Sequence, residues 1–236
     1  DEPTETFSLS ASAPGQTIAS TAIGSILDND NAPTIAITGP ATIDEAAGIA
    51  TYTITLSNPS STAISVDYAT ANGSATAGND YTATTGSVSF GPGETSKTIT
   101  VPITNDTLFE GNESYSITLT NPSSNASIDN TQQSVTTVIT DNDSAPTVIV
   151  TGETITEGDT LDFSVALSNP SATATTVALT LNSGTATVGT DTTTPVQVSV
   201  DGGSSFTNVF VNLDGTFNVS VPANSTQGII VRVPTV

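Results

Sequence analysis

The strongest constraint on the fold is an internal repeat, in which motifs of the first half of the chain recur in the second half. Asp28-Asn29-Asp30 recurs as Asp141-Asn142-Asp143. Leu56-Ser57-Asn58-Pro59 recurs as Leu167-Ser168-Asn169-Pro170. The two offsets are nearly equal and have the length of a whole small domain. The repeat therefore predicts tandem copies of one fold rather than a single large core.

The boundaries of the repeat do not coincide with the ends of the chain. One full repeat runs from about residue 31 to 143, residues 1–30 match only the last part of a repeat, and residues 144–236 match only the first part. Glu2–Leu9, for example, corresponds to Glu110–Ile117. We therefore expect one complete domain flanked by two complementary pieces of a second domain. The pieces belong to a longer array, meet between neighbouring copies, or reflect an arbitrary boundary.

Alternation of apolar and polar residues predicts short β-strands throughout the complete repeat. Thr51–Leu56 is one such segment, with a period of two. Strands are expected at 34–38, 51–56, 63–70, 86–90, 98–103, 114–119 and 133–140. Asn-Pro and Gly-rich turns separate them, and no segment has the pattern of a helix. About seven short strands without helices are typical of an antiparallel, immunoglobulin-like β-sandwich, so the predicted fold is all-β with tandem sandwiches.

Residues 192–236 depart from the repeat. Further strands are expected from Val196 and at Phe206–Val211, Thr216–Val221 and Gly228–Val233. Asp201-Gly202-Gly203 predicts a tight turn between the first two of them. We interpret this segment as the same sandwich with a longer hairpin between its fourth and fifth strands. Such Asp-Gly-Gly hairpins loosely resemble repeats of large secreted bacterial adhesins.

The composition excludes several classes of function. The chain holds 23 Asp and Glu against 2 Lys and Arg, a net charge of −21, and it has no His or Cys. Chemistry that needs an imidazole or a thiol is excluded, and nucleic-acid phosphates would lack basic partners. An anionic membrane would repel the chain, and no apolar run reaches the ~18 residues that span a bilayer. No nucleophile has an activating base beside it, so we expect no enzyme.

The acids of the complete repeat gather at one end of the predicted sandwich. When strands alternate up and down, the loops after the first, third and fifth strands share a pole with the residues after the seventh. These segments carry Asp44, Glu45, Asp80, Asp106, Glu110, Glu113, Asp141 and Asp143. So many carboxylates require a hard cation, raised pKa values or strong hydration. Calcium, which takes about six to eight oxygen ligands, fits best. A solvated acidic surface is the alternative.

In combination, several motifs of the complete repeat resemble the Calx-beta family. They are Thr42–Glu45, Asn72–Tyr81, Val88–Glu94, Asn105–Glu113 and Asp141–Asp143. The resemblance implies an immunoglobulin-like sandwich that binds Ca²⁺ through Glu45, Asp80, Asp106, Glu110, Glu113, Asp141 and Asp143. The Asn105 side chain and the Leu108 carbonyl are implied as further ligands. Where sodium–calcium exchanger domains of the family carry more acids, this chain has Asn105, Thr107 and Asn142, which implies fewer ions or weaker affinity.

By the same resemblance and the repeat, a second calcium site is divided between the two pieces. Glu157 and Asp191 lie in the C-terminal piece, and Glu2, Glu5, Asp28 and Asp30 lie in the N-terminal piece. All six positions match ligand positions of the complete repeat. We expect calcium to bind there only when the pieces assemble.

The resulting functional hypothesis is a calcium-binding structural repeat of an extracellular bacterial adhesin or surface fibre, secreted or held at the cell surface. Calcium would rigidify the domain junctions, because only a few residues separate Asp143 from the next strand. The expected partners are calcium ions and neighbouring copies or adjacent repeats of the same protein, with neither nucleic acid nor membrane insertion. Assembly by complementation of the split domain is part of this hypothesis.

Two other functions stay open at this point. One is specific recognition of a glycan or protein, for which Tyr68, Tyr81, Phe206 and Phe210 are the aromatic candidates. We expect each of these rings in the core instead. The other is a regulatory calcium sensor, which would need an effector domain that this chain does not contain.

Overall fold

The computed structural model describes residues 2–15, 20–193, 195–225 and 227–236. Asp1 and residues 16–19 of the predicted N-terminal piece, together with Thr194 and Thr226, lie outside the described residues. The chain forms two compact units. Residues 1–105 with 112–140 make unit 1, and residues 106–111 with 141–236 make unit 2. The domain boundaries at 30 and 143 stay predictions. No helix in the described part is long and apolar enough to cross a membrane.

Unit 1 contains a two-sheet sandwich preceded by a hairpin. The hairpin strands are β1 (Glu5–Ala11) and β2 (Ser20–Ile26). The sandwich strands are β3 (Thr34–Thr38), β4 (Thr42–Asp44), β5 (Ile49–Leu56), β6 (Ile64–Asn72), β7 (Thr85–Phe90), β8 (Ser96–Pro102), β9 (Glu113–Thr120), β10 (Ser127–Ile128) and β11 (Ser134–Thr140). One sheet has the order β10-β3-β5-β8 and the other has the order β4-β11-β9-β6-β7. The predicted all-β, immunoglobulin-like fold is confirmed.

The core of unit 1 lies between the two sheets. On β5, Tyr52 and Ile54 are fully buried while Thr51 faces outward, which is the alternation read from the sequence. Ile117 and Leu119 of β9 meet them from the opposite sheet and are also fully buried. Each such aliphatic side chain stabilises the sandwich by about 1.5–3 kcal/mol on leaving water.

A cluster of three hydroxyl groups lies inside this core. The Tyr52 hydroxyl is 2.7 Å from the Tyr115 hydroxyl and 2.6 Å from Thr137 Oγ1. Thr137 Oγ1 in turn donates to the Pro40 carbonyl at 2.8 Å. The cluster links β5 of one sheet to β9 and β11 of the other, so its hydrogen bonds hold the two sheets together.

The chain enters and leaves the sandwich at opposite poles. At the entry pole, the Thr34 backbone N–H donates to Ser57 Oγ at 2.9 Å, just after β5 ends. The opposite end, where β5 begins, carries the acids of the loops and is called the acidic pole. There, Thr140 at the end of β11 pairs with Asp44. β5 therefore runs the length of the sandwich between the two poles.

The N-terminal hairpin repeats the pairing of β9 with β11 in the complete sandwich. Phe7 lies opposite Gly24 and Glu5 lies opposite Ile26. Tyr115 lies opposite Thr137 and Glu113 opposite Ile139, which are the corresponding positions. In β1 and β2, however, Phe7, Leu9 and Ile26 are 64%, 74% and 54% exposed. The hairpin thus presents a core-like face without a covering sheet among the described residues of its own unit.

Unit 2 is a second sandwich built on the same plan. Its strands are β12 (Val148–Thr151), β13 (Thr160–Leu167), β14 (Thr175–Thr180), β15 (Val196–Ser199), β16 (Thr207–Val209), β17 (Thr216–Val221) and β18 (Ile229–Pro234). One sheet has the order β12-β13-β18-β15-β16, and the other contains β14 and β17. Phe163 pairs with Val231 as Tyr52 pairs with Ile99, so β13 and β18 correspond to β5 and β8.

The extra hairpin of unit 2 is not where the sequence placed it. Thr180 pairs with Thr216 as Ala69 pairs with Thr85, so β17 corresponds to β7, the fourth strand. The hairpin β15–β16 precedes β17 and therefore lies between the third and fourth strands, and the prediction that it follows the fourth is wrong. The reason is that β15 pairs with β18 and extends the other sheet, which strand patterns alone do not reveal.

Candidate metal centre

Two groups of three carboxylates form at the acidic pole of the complete sandwich. In each group, ligand oxygens from all three residues lie within 4.8 Å of one another. The first group comprises Glu45, Asp141 and Asp143, and the second comprises Asp80, Glu110 and Glu113. Six of the seven acids predicted for this site therefore lie in these two groups. That they bind metal stays a prediction.

Glu45 is positioned by a single turn of 3-10 helix that follows β4. The turn spans Glu45–Ala47, and the Asp44 carboxylate caps it by accepting the Ala46 N–H at 2.8 Å. Gly48 ends the turn in the left-handed conformation with φ of 72°. Glu45 is only 7% exposed. Sequence reasoning placed Asp44 among the acids of this pole without recognising its capping role, although Asp-Glu-Ala-Ala-Gly is a readable cap pattern.

Asp141 organises the loop that follows β11. Its Oδ1 accepts the Asp143 N–H and its Oδ2 accepts the Glu110 N–H, both at 2.8 Å. The second bond connects the two carboxylate groups, because Glu110 belongs to the other one. Both oxygens of Asp141 are thus held in place by backbone donors, and each retains a lone pair for a cation.

Asp143 supplies the observation that best tests whether a cation fits. Its Oδ2 is buried and has no hydrogen-bond partner within the protein. A buried carboxylate oxygen without a partner is costly, and a metal ion removes that cost. Asp143 belongs to the same group as the buried Glu45. This group therefore has the donor set and the burial that a hard cation requires.

Asp80 is held by a turn of its own. Its Oδ2 accepts the Thr76 N–H at 2.6 Å and the Thr76 hydroxyl at 3.2 Å. Its carbonyl accepts the Thr104 N–H at 3.0 Å. Sequence reasoning did not identify Thr76 as a positioning residue, but its place four positions before Asp80 is the local signal.

Asp106 is the one predicted ligand that belongs to neither group among the described residues. Its Oδ1 accepts the Leu108 N–H at 2.8 Å, which closes a tight turn in the loop before β9. The roles predicted for the Asn105 side chain and the Leu108 carbonyl stay predictions.

Both basic side chains of the protein form salt bridges with acids outside the two carboxylate groups. The chain has only 2 Lys and Arg in total. Lys97 pairs with Glu94 at 2.8 Å, and Arg232 pairs with Asp162 at 2.8 Å. Both cationic side chains are thus engaged by acids outside the predicted ligand set. The crowding of acids at this pole calls for a cation from solution or for strong hydration.

The six acids of the predicted split site form two separate sets. Glu157 and Asp191 line one cavity of about 330 Å³ in unit 2, and Asp191 Oδ2 accepts the Thr187 N–H at 2.7 Å, as Asp80 accepts Thr76. In the hairpin piece, Asp28 accepts the N–H groups of Asp30 and Glu2 at 3.0 and 3.1 Å. These two bonds lower the pKa of Asp28. They also reproduce the bonds that Asp141 makes to Asp143 and Glu110.

Glu5, the remaining acid of the split site, begins β1 as Glu113 begins β9. The six acids do not make a group of three within ligand distance in the described part of the chain. That these acids form a second metal site stays a prediction.

The aromatic candidates for recognition have different environments. Tyr81 is 1% exposed and stacks on Tyr115 at a centroid distance of 4.4 Å, and Tyr68 packs partly buried against the same core. Phe206 lies 4.0 Å from the Arg232 guanidinium, in a cation–π contact. Phe210 is 78% exposed, so the expectation that it lies in the core is wrong.

The fold and these loops define a class of protein: tandem immunoglobulin-like sandwiches with carboxylate-bearing loops at one pole. The family is given by comparison with known sequences. The model of the Calx-beta domain matches residues 28–143 and 141–215, well over half of the chain. The chain belongs to the Calx-beta family.

Known relatives include sodium/calcium exchangers. Sodium/calcium exchanger 1 of Canis lupus familiaris is 48% identical over 56 residues, which is 24% of this chain and 6% of the exchanger. The figures for sodium/calcium exchanger 3 of Homo sapiens are the same. The chain thus spans about 6% of the length of the exchangers it matches.

Solved structures that match the chain include domains of Calx. The apo-form Calx CBD1 domain is 29% identical with a TM-score of 0.44, covering 47% of this chain and 99% of that one. The CBD12 structure from CALX1.2 is 21% identical with a TM-score of 0.46, covering 86% of this chain and 76% of that one.

Proposed function

We propose that the protein is a calcium-binding structural repeat of an extracellular bacterial adhesin or surface fibre, in which calcium stiffens the link between successive domains. The observation that carries this proposal is the buried, unpartnered Oδ2 of Asp143 beside Glu45 and Asp141. Family membership supports calcium as the ion, because the relatives include sodium/calcium exchangers.

The donor set favours calcium over other metals. All ligands in the two groups are carboxylates, and the sequence has no imidazole or thiolate, which disfavours zinc, copper and nickel. The acids come from four separate loops, and calcium tolerates such irregular arrangements better than magnesium does. Glu45, Asp141 and Asp143 would hold one ion, and Asp80, Glu110 and Glu113 would hold another. When bound, calcium neutralises the carboxylates and ties their loops together.

A stiffening role is supported by the position of the ligands along the chain. β11 ends at Thr140 and β12 begins at Val148, so only residues 141–147 connect the two sandwiches in sequence. Asp141 and Asp143 lie within that connection. A ligand in a short linker restricts the linker directly, whereas a sensor would need a separate element that moves.

An extracellular setting is supported by the composition. The chain has no Cys, and calcium supplies the type of cross-link that disulfides supply elsewhere. Calcium outside cells is commonly abundant enough to saturate sites with Kd values of about 10⁻⁴–10⁻³ M, such as those of extracellular modules.

Thermal unfolding tests the proposal. Residues 1–236 are heated in calcium, in magnesium and in EGTA, with far-UV circular dichroism as the readout. Calcium at about 100 times Kd stabilises by about 2.7 kcal/mol, which corresponds to a Tm increase of about 10–20 °C for one such domain. Asp143→Asn should lose most of this increase. Asp67 on β6 accepts a hydrogen bond from the Asn121 side chain. Asp67→Asn should retain the Tm increase.

Two other outcomes of this experiment would contradict a calcium site. Equal midpoints in calcium and EGTA would favour a solvated acidic surface. Equal effects of calcium and magnesium would indicate general charge screening rather than a calcium site.

A recognition function is the second candidate, and the exposure of Phe210 supports it. Phe210 and Leu213 are both highly exposed on the segment that joins β16 to β17. Exposed aromatic and aliphatic side chains at a loop are a common basis for binding a glycan or protein. Glycan-array binding that Phe210→Ala abolishes would support this function.

A further inference from the structure

We propose that the outer face of the five-stranded sheet of unit 2 binds a neutral glycan through a row of polar side chains. The row comprises Asp162 on β13, Arg232 on β18, Gln197 on β15 and Asn208 on β16. This inference rests on the second candidate function, recognition, and gives it a site and a class of ligand. It does not depend on calcium binding.

Strand pairing places the four side chains of the row next to one another. Arg232 lies opposite Asp162 on one side and opposite Gln197 on the other. Gln197 in turn lies opposite Asn208. Val231, which precedes Arg232 on β18, is buried in the core. Since successive residues of a strand face opposite sides, the row lies on the outer face of the sheet.

The arginine of the row is held in a fixed orientation. Its Nε and Nη2 groups donate to the two carboxylate oxygens of Asp162, both at 2.8 Å. The ring of Phe206 covers the guanidinium at a distance of 4.0 Å. The side chains of the ion pair are still 30% and 28% exposed, so a ligand can reach them. A planar guanidinium fixed in this way loses little conformational freedom when it binds a ligand.

The hydrogen bonds within the row use only part of its donors and acceptors. Gln197 Nε2 donates to Asn208 Oδ1 in a long bond of 3.4 Å. Among the described residues, Arg232 Nη1, Gln197 Oε1 and Asn208 Nδ2 have no hydrogen-bond partner. The row thus presents donors on both sides of an acceptor. Hydroxyl groups both donate and accept, so the neighbouring hydroxyls of a sugar ring match this arrangement.

The described residues of unit 1 do not form such a row, although the two sandwiches share one plan. Because β13 and β18 correspond to β5 and β8, Asp162 occupies the position of Thr51. Its partner Arg232 occupies the position of Thr100. The sheet of unit 1 ends at β8, whereas β15 and β16 extend the sheet of unit 2 and carry the other half of the row. A partly exposed ion pair adds little stability, so the fold does not require the row.

A cavity on the same face has room for a sugar ring beside the ion pair. Its volume is about 290 Å³, and its lining includes Glu153, Asp162, Ser164 and Ile230. Ligand sites have volumes from about 300 Å³ upwards, so this cavity suits one small ring rather than a large ligand. Ser164 lies opposite Ile230 on the neighbouring strand. Polar and apolar groups therefore meet in the cavity, as the hydroxyls and C–H groups of a sugar require.

Two phenylalanine rings flank the end of the row on β16. Phe206 and Phe210 lie two residues before and two residues after Asn208. Continued strand alternation directs all three side chains to the same face. Phe210 is 78% exposed. Aromatic rings pack against the C–H groups of sugars, so these two supply the apolar part of a site whose polar part is the row.

Charge determines the class of glycan that fits this face. Asp162 neutralises Arg232, and Glu153, which accepts the Asp162 N–H at 2.9 Å, adds a negative charge. The chain as a whole has a net charge of −21. Sialylated and sulfated glycans would be repelled. The polar row also differs from the apolar centre of a typical protein interface. A neutral glycan is therefore the ligand that this face fits best.

The test is an NMR titration of ¹⁵N-labelled residues 1–236 with methyl glycosides of glucose, galactose and mannose, and with neutral oligosaccharides that bind on a glycan array. Arg232 is the only arginine of the chain, so its Nε–H signal reports on the row without ambiguity. A neutral sugar should shift this signal and the side-chain amide signals of Gln197 and Asn208. Asn208→Ala and Gln197→Ala should each raise Kd about 2- to 12-fold, the effect of losing one hydrogen bond.

A matched control is available in the other sheet of unit 2. Asn218→Ala removes an exposed asparagine from β17 and should leave Kd unchanged. The backbone amide signals of each variant show whether it is folded.

Several results would overturn the proposal. They are an Arg232 signal that no neutral sugar shifts, binding of sialylated or sulfated glycans only, binding of a protein only, and a Kd that Asn208→Ala and Gln197→Ala leave unchanged. Array binding that Phe210→Ala abolishes while the Arg232 signal stays fixed would refute this site and leave the recognition function intact. A shifted Arg232 signal in a protein whose Tm does not respond to calcium would support this site and refute the calcium function.

Discussion

Removing the central hydroxyl of the buried cluster in unit 1 should destabilise the complete sandwich, and removing a second hydroxyl should not add to the loss. Tyr52 makes hydrogen bonds of 2.7 and 2.6 Å to Tyr115 and Thr137, and all three side chains are at most 1% exposed. Burial, followed by the bond to Tyr52, raises the pKa of Tyr115, so its hydroxyl stays neutral.

The expected loss of unfolding free energy depends on which hydroxyl groups each substitution leaves without a hydrogen-bond partner. Tyr52→Phe breaks two hydrogen bonds and leaves the Tyr115 hydroxyl without its partner, a loss of about 2–3 kcal/mol. Tyr115→Phe alone should cost only about 1 kcal/mol, because the Tyr52 hydroxyl retains Thr137. In the double variant the orphaned hydroxyl is gone. Tyr115→Phe should therefore be neutral, or restore about 1 kcal/mol, when added to Tyr52→Phe.

Urea unfolding followed by far-UV circular dichroism measures these free energies. Val231→Ala, in the core of unit 2, identifies the transition that belongs to the other sandwich. Tyr68→Phe, whose ring packs at the edge of the same core, is the matched control and should change stability by less than about 0.5 kcal/mol. Additive losses in the double variant, within about 0.5 kcal/mol, would refute the reasoning.

Two further predictions follow from single positions. Gly39→Ala should destabilise unit 1 by about 1–3 kcal/mol in the same assay. The new Cβ would lie 2.2 Å from Cδ1 of Tyr52 and would displace its ring. An unchanged urea midpoint would contradict this prediction. Ser205 is the main cause that lowers the pKa of Asp201 to about 2, from the ordinary 3.8. Since the folded-state pKa is depressed, this carboxylate stabilises the fold above pH 3.8 and its contribution is lost as pH falls towards 2. Ser205→Ala should raise the pKa measured by carboxylate NMR titration, and an unshifted titration would exclude the bond.

The regular strands and the acidic pole were the features that sequence could predict. The period-two alternation of Thr51–Leu56 placed Tyr52 and Ile54 on one buried face, as the structure has them. Strand parity brought Asp80 to the same pole as Glu110. Both inferences depend only on local pattern and chain direction, and long-range packing does not alter them.

Features set by partners across the fold could not be predicted. β4 and β10 have three and two residues, too few to show a period, and each exists because it pairs with a distant strand. The position of β15–β16 depends on the edge of β18. The exposure of Phe210 was missed because an aromatic in an apolar segment ordinarily indicates core. The hydroxyl cluster likewise has no signature in sequence, since Tyr52 and Tyr115 fit any buried face.

The parallel pairing of β4 with β11 determines how this sandwich responds to a pull along the chain. Tension draws β11 out through the acidic pole and draws β4, through β3, towards the entry pole. The pairs Thr42–Val138, Ile43–Ile139 and Asp44–Thr140 then slide in shear and must break together, rather than peeling apart one at a time. Glu45 and Asp141 directly follow the ends of these two strands. An ion held by both would clamp the ladder where the force arrives, so mechanical strength would depend on calcium even where thermal stability is ample.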